Sequence, residues 1–296
     1  MRIWKNILRT LIWIYIKISF FLVRLIPYDA AVWLGGRVGA VVFHLLRRHR
    51  ARAISNLESC FPGESKEKIL KIAKQCFVNQ GRNYLEFLCF PRLTERRIRE
   101  IVSFSGLEKL ESAVKEGKSV LYLMAHFGNW ELHGASLWAY GHPVSAIAKR
   151  IYDERINSLI VELRALRGVK TILRGESPMD ILKAMKDKKP LCVLLDQATG
   201  RVRGVSVDFF GRKARTPSGF AMIAARKNAV VLCGFIVREG SKHRVYIEGP
   251  LEVARSEDRE KEILQNTRMF TKVIEEWVRK YPDHWVWMHD RWRQDL

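Results

Sequence analysis

Val120 to Ala125 form an unbroken run of apolar and aromatic residues that ends abruptly in His126. Phe127, Gly128, Asn129, Trp130 and Glu131 follow, and then a helical pattern begins. A buried strand that delivers a histidine at its carboxyl end, followed by a glycine turn and a helix, is how an open α/β sheet presents chemistry. The chain downstream keeps that rhythm. Strands are expected at 119–125, 144–148, 169–172, 191–195, 230–237 and 244–248. Helices are expected at 130–140, 153–166, 178–186 and 217–227. Ser177-Pro178 and Thr216-Pro217 each place a hydroxyl and then a proline where a helix would begin. Such alternation predicts an α/β fold with a mainly parallel central sheet flanked by helices.

The region before this core is different. Residues 7–26 are apolar or aromatic except for a few polar positions, which include Arg9, Lys17 and Arg24. At ~100° per residue the three cations fall within about 80° of arc, leaving a broad lipophilic face. That pattern predicts a membrane-associating helix, spanning or interfacial, and no small-residue cleavage site follows it. The organisation expected is an anchor over 1–27 and a catalytic domain over 28–296. A second apolar helix, 29–46, runs into Arg47-Arg48-His49-Arg50-Ala51-Arg52. Asn56-Leu57 and Phe61-Pro62-Gly63 read as a turn. Helices follow over 64–87, 94–101 and 107–116, and an amphipathic helix over 256–279 closes the pattern.

Charge narrows the partners. Lys and Arg number 52 against 31 Asp and Glu, a net charge of +21. Anionic lipid or an acidic protein fits that excess. No helix-turn-helix, zinc-finger or RNA-binding signature accompanies it, so nucleic acid is not the expected partner. The five cysteines are scattered with no C-x-x-C pair, which suits a reducing compartment.

His126 and Glu131 stand five apart and would not share a face of one continuous helix. The break at Gly128 leaves two readings open. The turn could fold the carboxylate back to the imidazole as an oriented general base, or Glu131 could be unrelated. No G-x-S-x-G motif or other protein nucleophile presents itself, so a substrate hydroxyl would be the group activated. His126 and His133 are seven apart and match no metal-ligand spacing. Trp130, Trp138 and Trp277 read as core. Trp285, Trp287 and Trp292 could line a groove, but capping of the sheet is the preferred reading.

His126-Phe-Gly-Asn-Trp-Glu131 resembles the H-x4-D/E motif of glycerolipid-type acyltransferases. More closely it resembles the bacterial late acyltransferases of lipid A biosynthesis, the lauroyl/myristoyl acyltransferases. Further blocks continue the likeness: Asn56-Leu57 with Phe61-Pro62, Asn157 with Arg164 and Gly168, and Asp196-Gln197. Phe209-Phe210-Gly211 with Thr216, and the Trp285, Trp287, His289, Arg291 signature, complete it. Asn157 is followed by Ser158 where the family often has proline. Gln197-Ala198-Thr199-Gly200 is a pattern shared with more distant mycobacterial enzymes that acylate phosphatidylinositol mannosides.

The resemblance implies transfer of a fatty acyl chain to a hydroxyl of a lipid A precursor at the cytoplasmic face of the inner membrane. No cofactor is implied; the donor would be acyl carrier protein or coenzyme A thioester. His126 would be the base and Glu131 its orienting partner. Arg164, Asp196 and Asn129 would bind substrate, with Arg167 an alternative to Arg164. A phosphatidylinositol mannoside acceptor, a hydrolase and a non-enzymatic basic membrane-binding protein remain the rival readings.

Overall fold

A computed structural model describes residues 2–174, 178–187, 189–198, 203–226 and 229–292. Four helices come first: α1 (Arg2–Val23), α2 (Tyr28–Leu45), α3 (Arg47–Cys60) and α4 (Lys66–Leu88). Then follow α5 (Glu95–Ile101), β1 (Val102–Ser105), α6 (Leu107–Lys115), β2 (Val120–Met124), α7 (Trp130–Ala139) and β3 (Val144–Ala148). Next are α8 (Glu154–Ala165), β4 (Val169–Leu173), α9 (Pro178–Lys186), β5 (Leu191–Leu194), β6 (Gly204–Phe209) and β7 (Arg212–Pro217). The last elements are α10 (Gly219–Arg226), β8 (Val230–Glu239), β9 (Lys242–Glu248) and α11 (Arg259–Lys280).

Seven strands form one sheet in the order β1-β9-β8-β2-β5-β3-β4. β8, β2, β5, β3 and β4 are mutually parallel, whereas β9 runs antiparallel to β8 and β1 follows β9. β2 is central, and both its faces are covered. Leu121, Leu123 and Ala125 enter one apolar core, and Val120, Tyr122 and Met124 enter the other. That two-sided burial is why the strand reads as a continuous apolar run rather than an alternation.

Several expectations are corrected. Thr216 and Pro217 do not open a helix; they end β7, which pairs with β6 in a separate two-stranded hairpin. Thr216 is buried there and accepts a hydrogen bond from Arg291 at 2.5 Å, so its hydroxyl serves tertiary packing. Asn56 and Leu57 lie within α3, and the chain turns only after Cys60. β1 was not expected; it is a short edge strand directly after α5, its outward side chains polar. Ser177 lies outside the described residues.

α4 is fastened at its start by Ser65, whose hydroxyl accepts from the Lys68 N–H. α2 lies against it at glycine-to-glycine distance. A Cβ on Gly35 would sit 2.5 Å from the Gly81 carbonyl oxygen, and one on Gly39 2.2 Å from that of Phe77. Larger residues at these positions would push the helices apart.

The segment Asn6–Val23 of α1 is long and apolar enough to cross a bilayer, and only 6% of it is buried. Its cations rest on aromatic rings, Arg9 over Tyr152 and Lys17 over Trp13, as does Arg24 just past its end, over Phe20.

Candidate active site

His126 follows β2 at the carboxyl edge of the parallel strands, where an α/β sheet keeps its ligands. Asp196 follows β5, the neighbouring strand, and the two side chains meet. Asp196 Oδ1 lies 2.9 Å from His126 Nδ1 and accepts the His126 backbone N–H at 3.0 Å. Its other oxygen, Oδ2, accepts the Trp285 indole N–H at 2.8 Å. The Asp196 side chain is fully buried, while the His126 ring remains 26% exposed. Burial alone would raise the Asp196 carboxyl. The His126 ring, the His126 N–H donations and the Trp285 indole outweigh it and hold the group down at about 2. Relative to an ordinary 3.8, that is worth about 2 kcal/mol of stability. Because the folded value is depressed, the contribution is full above pH ~4 and is lost as the pH falls through about 2. A carboxylate at Nδ1 keeps the proton on that nitrogen and leaves Nε2 as the imidazole's acceptor.

The expected contact between Glu131 and His126 is not formed. No hydrogen bond or ion pair joins them among the described residues. The Glu131 carboxylate instead takes Arg164 side-on, with Nε to Oε2 at 2.9 Å and Nη2 to Oε1 at 2.6 Å. The Trp130 indole adds a donation at 3.2 Å. Trp130 also stands edge-on to the His126 ring, with centroids 5.1 Å apart, so it belongs to the site and not only to the core. Burial disfavours the Arg164 charge, but the Glu131 carboxylate more than compensates and raises its pKa. Together Trp130, Glu131 and Arg164 line a narrow cavity of about 40 Å³ whose other walls are apolar, among them Met124, Ile147 and Leu194. Arg167 turns away, donating to the Phe90 carbonyl.

Asn129 is likewise committed elsewhere. It is buried at the start of α7, where its Oδ1 accepts the Leu132 N–H and its Nδ2 donates to Glu86. Between His126 and Asn129, Gly128 has φ +55, and a Cβ there would stand 2.0 Å from the Ile236 carbonyl oxygen. Only glycine fits this turn. His133 is buried against Tyr122 with burial lowering its pKa to about 3, so it is a neutral core group. Among the described residues no cluster of His, Cys, Asp or Glu is arranged to hold a metal ion.

A histidine–carboxylate dyad at the sheet edge, beside an ion pair at an apolar slot, coincides with a match along the chain. The model of the family described as bacterial lipid A biosynthesis acyltransferase covers residues 4–294. The chain belongs to that family. The lipid A biosynthesis palmitoleoyltransferase of Escherichia coli (strain K12) is 24% identical over 286 residues, spanning 96% of this chain and 91% of the relative. The lauroyltransferase of the same organism is 25% identical, again over 96% and 91%. The phosphatidylinositol mannoside acyltransferase of Mycolicibacterium smegmatis (strain ATCC 700084 / mc(2)155) is 26% identical over 85% of this chain and 80% of its own. The protein is thus an acyltransferase of the superfamily that acts on lipid-linked acceptors.

The blocks of this acyltransferase that lie far apart in sequence converge on one strap, residues 283–292. The Phe127 and Trp285 backbones form a bridge, and the Gly128 N–H donates to the His284 carbonyl at 2.8 Å. Asn56 donates to the Trp287 and His289 carbonyls at 2.9 and 3.1 Å. Arg291, fully buried, donates to the Arg215 carbonyl and the Thr216 hydroxyl. Trp285, Trp287 and Trp292 are buried in the apolar core that also holds Leu121 and Leu123, and Trp285 reaches Asp196. Asn157 accepts the Ile151 N–H and so ties down the loop before α8.

One cluster escaped sequence reasoning. Glu86 on α4 is fully buried and accepts from Tyr28, Asn129, Arg238 and His243. Arg238 and His243 come from β8 and β9, and Arg238 also bonds Asn83. Burial works against the Glu86 charge, but His243 and Arg238 more than compensate and hold its carboxyl far below the usual range. Asn83 in turn donates to the Gly128 carbonyl at 2.7 Å, so the cluster braces the turn that carries His126. Glu86 lies in an otherwise ordinary amphipathic helix, and two of its partners, Arg238 and His243, lie more than 150 residues away.

Proposed function

We propose that the protein transfers a fatty acyl chain from a thioester to a hydroxyl of a lipid A precursor, with His126 as general base and Asp196 as its orienting partner. The observation that carries the reading is a partly exposed histidine whose Nδ1 is held by a buried carboxylate, whose Nε2 has no hydrogen-bond partner among the described residues, and whose ring stands against Trp130, a wall of the apolar slot. His126 Nε2 takes the proton of the acceptor hydroxyl as its oxygen attacks the thioester carbonyl carbon. The tetrahedral intermediate collapses, the carbon–sulfur bond breaks, and the thiolate leaves with the proton that the imidazolium returns.

Arg164, fixed by Glu131, supplies positive charge beside the developing oxyanion. The apolar slot receives the start of the acyl chain. Acyl carrier protein is the proposed donor, because such carriers are acidic and this chain carries +21. The proposed setting is the cytoplasmic face of the inner membrane, with anionic lipid beneath the basic helices. The similarity to phosphatidylinositol mannoside acyltransferases supports a second acceptor class, another membrane glycolipid.

His126→Ala is expected to lower transfer by at least about 10³-fold while the fold persists. The assay is thioester turnover with and without lipid acceptor. Full activity of the variant would refute the mechanism, and turnover indifferent to acceptor would make the protein a hydrolase. Mass spectrometry of lipids from cells with and without the gene reads acceptor and chain length together.

A further inference from the structure

α2 buries one side and leaves the other bare. Ala31, Gly35, Gly36, Gly39 and Phe43 face inward, Gly35 and Gly39 against α4 at backbone contact. Trp33, Leu34, Val41 and Leu45 point outward and are 64%, 40%, 56% and 71% exposed with α1 in place. At ~100° per residue these four and Arg37 fall within about 120° of arc. A contiguous face of this kind is an interaction surface in a folded protein.

Charge says what covers it. Arg37 lies within the apolar face, over the Trp33 ring. α3 departs from α2 at 91°, and Arg47 and Arg48 stand exposed at that bend, with no carboxylate partner among the described residues. The single acidic residue of α2, Asp29, stands one turn before Trp33 and has its charge paired with Arg97. An apolar stripe of Trp and Leu edged by unpaired arginines is the composition of a helix lying in an anionic lipid interface. Alone, α2 is not long and apolar enough to cross a bilayer, and the 91° bend turns the arginine-rich α3 out of its line.

We propose that the outer face of α2 is a second membrane contact, lying in the plane of an anionic bilayer surface. Trp33, Leu34, Val41 and Leu45 sit at the headgroup–acyl boundary, and Arg37, Arg47 and Arg48 meet lipid phosphates. The inference rests on the reading of the protein as membrane-associated. It adds that α1 is not the sole anchor. Two non-collinear attachments fix the tilt of the catalytic domain, and α3 carries that orientation to the strap through Asn56 and the Arg52–Asp290 pair at 3.5 Å.

The test uses the full chain. All five native cysteines are buried, so Val41→Cys accepts an environment-sensitive fluorophore selectively. Glu108→Cys, exposed on α6, is the control. On vesicles containing phosphatidylglycerol, the label at 41 should shift to the blue and the label at 108 should not. Trp33→Ser combined with Leu45→Ser should weaken partition onto those vesicles by at least about tenfold. Acyl transfer in detergent micelles should stay at the parent level.

A label at 41 that remains in water while the protein sediments with vesicles overturns the proposal and leaves α1 as the anchor. A shift without vesicles that grows with protein concentration overturns it in favour of a second copy of the chain. If the parent chain never sediments with vesicles, the membrane reading itself fails, while transfer in micelles still judges the catalytic one.

Discussion

Two fully buried carboxylates in this molecule each hold a histidine, and they differ in what is left over. Asp196 has two neighbours, His126 and Trp285, and the histidine it holds keeps one nitrogen free and a quarter of its ring in solvent. Glu86 is surrounded by Tyr28, Asn129, Arg238 and His243, and both partner bases are buried. The first arrangement retains a basic atom with access to substrate. The second ties α2, α4, α7, β8 and β9 together, and the remaining His243 Nδ1, which has no partner among the described residues, is buried out of reach. Burial and charge pairing alone therefore do not mark a site; an unspent, reachable valence does.

The sharpest way to break this comparison is to disturb each carboxylate without changing its shape. Asp196→Asn is expected to cost about 10³-fold or more in transfer, because an amide cannot serve both sides. If its NH₂ replaces Oδ2 it faces the Trp285 N–H; if flipped it faces the His126 backbone N–H and favours the wrong imidazole tautomer. Thioester turnover checks it, and near-parental rates would show that Asp196 does not orient the base.

Glu86→Gln should act on the other quantity. It leaves the Arg238 guanidinium buried without its counter-charge, a loss of about 3 kcal/mol in unfolding free energy. Urea denaturation in detergent measures it. Transfer per folded molecule should fall far less than in Asp196→Asn. A variant as stable as the parent but catalytically dead would move Glu86 into the active site and dissolve the distinction.

The parts that could be read from the sequence were those written in local pattern. β2, β5 and β8 begin as apolar runs, and His126 stands where such a run stops. The pairing of His126 with Asp196 could not be read, because it depends on β5 lying beside β2, and strand order is not a local property. Glu131 followed the same logic in reverse. Its spacing from His126 invited a contact, but α7 starts beyond the Gly128 turn and presents the carboxylate to α8, where Arg164 waits. The β6–β7 hairpin was hidden by Thr216-Pro217, whose cap-like chemistry is overridden by the Arg291 contact. Asn129 was assigned to substrate by its place in the motif, whereas its short side chain is spent on capping α7 and bonding Glu86.

The smallest effect is the most specific. Trp285→Phe keeps an aromatic ring against Phe209 and Trp287 but leaves a smaller side chain in a fully buried site, and it removes the donor that Asp196 Oδ2 has among the described residues. A hydrogen bond to a buried carboxylate is worth about 1–2 kcal/mol, so the variant should be less stable by at least that amount near neutrality, the cavity adding a part that does not depend on pH. The sign with pH follows from linkage. The indole stabilises the ionised carboxyl, so its loss raises the folded-state value of Asp196 from about 2 toward the ordinary 3.8. The deficit is therefore full above pH ~4 and narrows as the pH is lowered further, where the parent loses the same stabilisation by protonation. Urea denaturation of both proteins at pH ~6 and pH ~3 measures this. A deficit unchanged between them would mean that Trp285 contributes only packing, and that the strap closes over the site without setting the charge of the dyad.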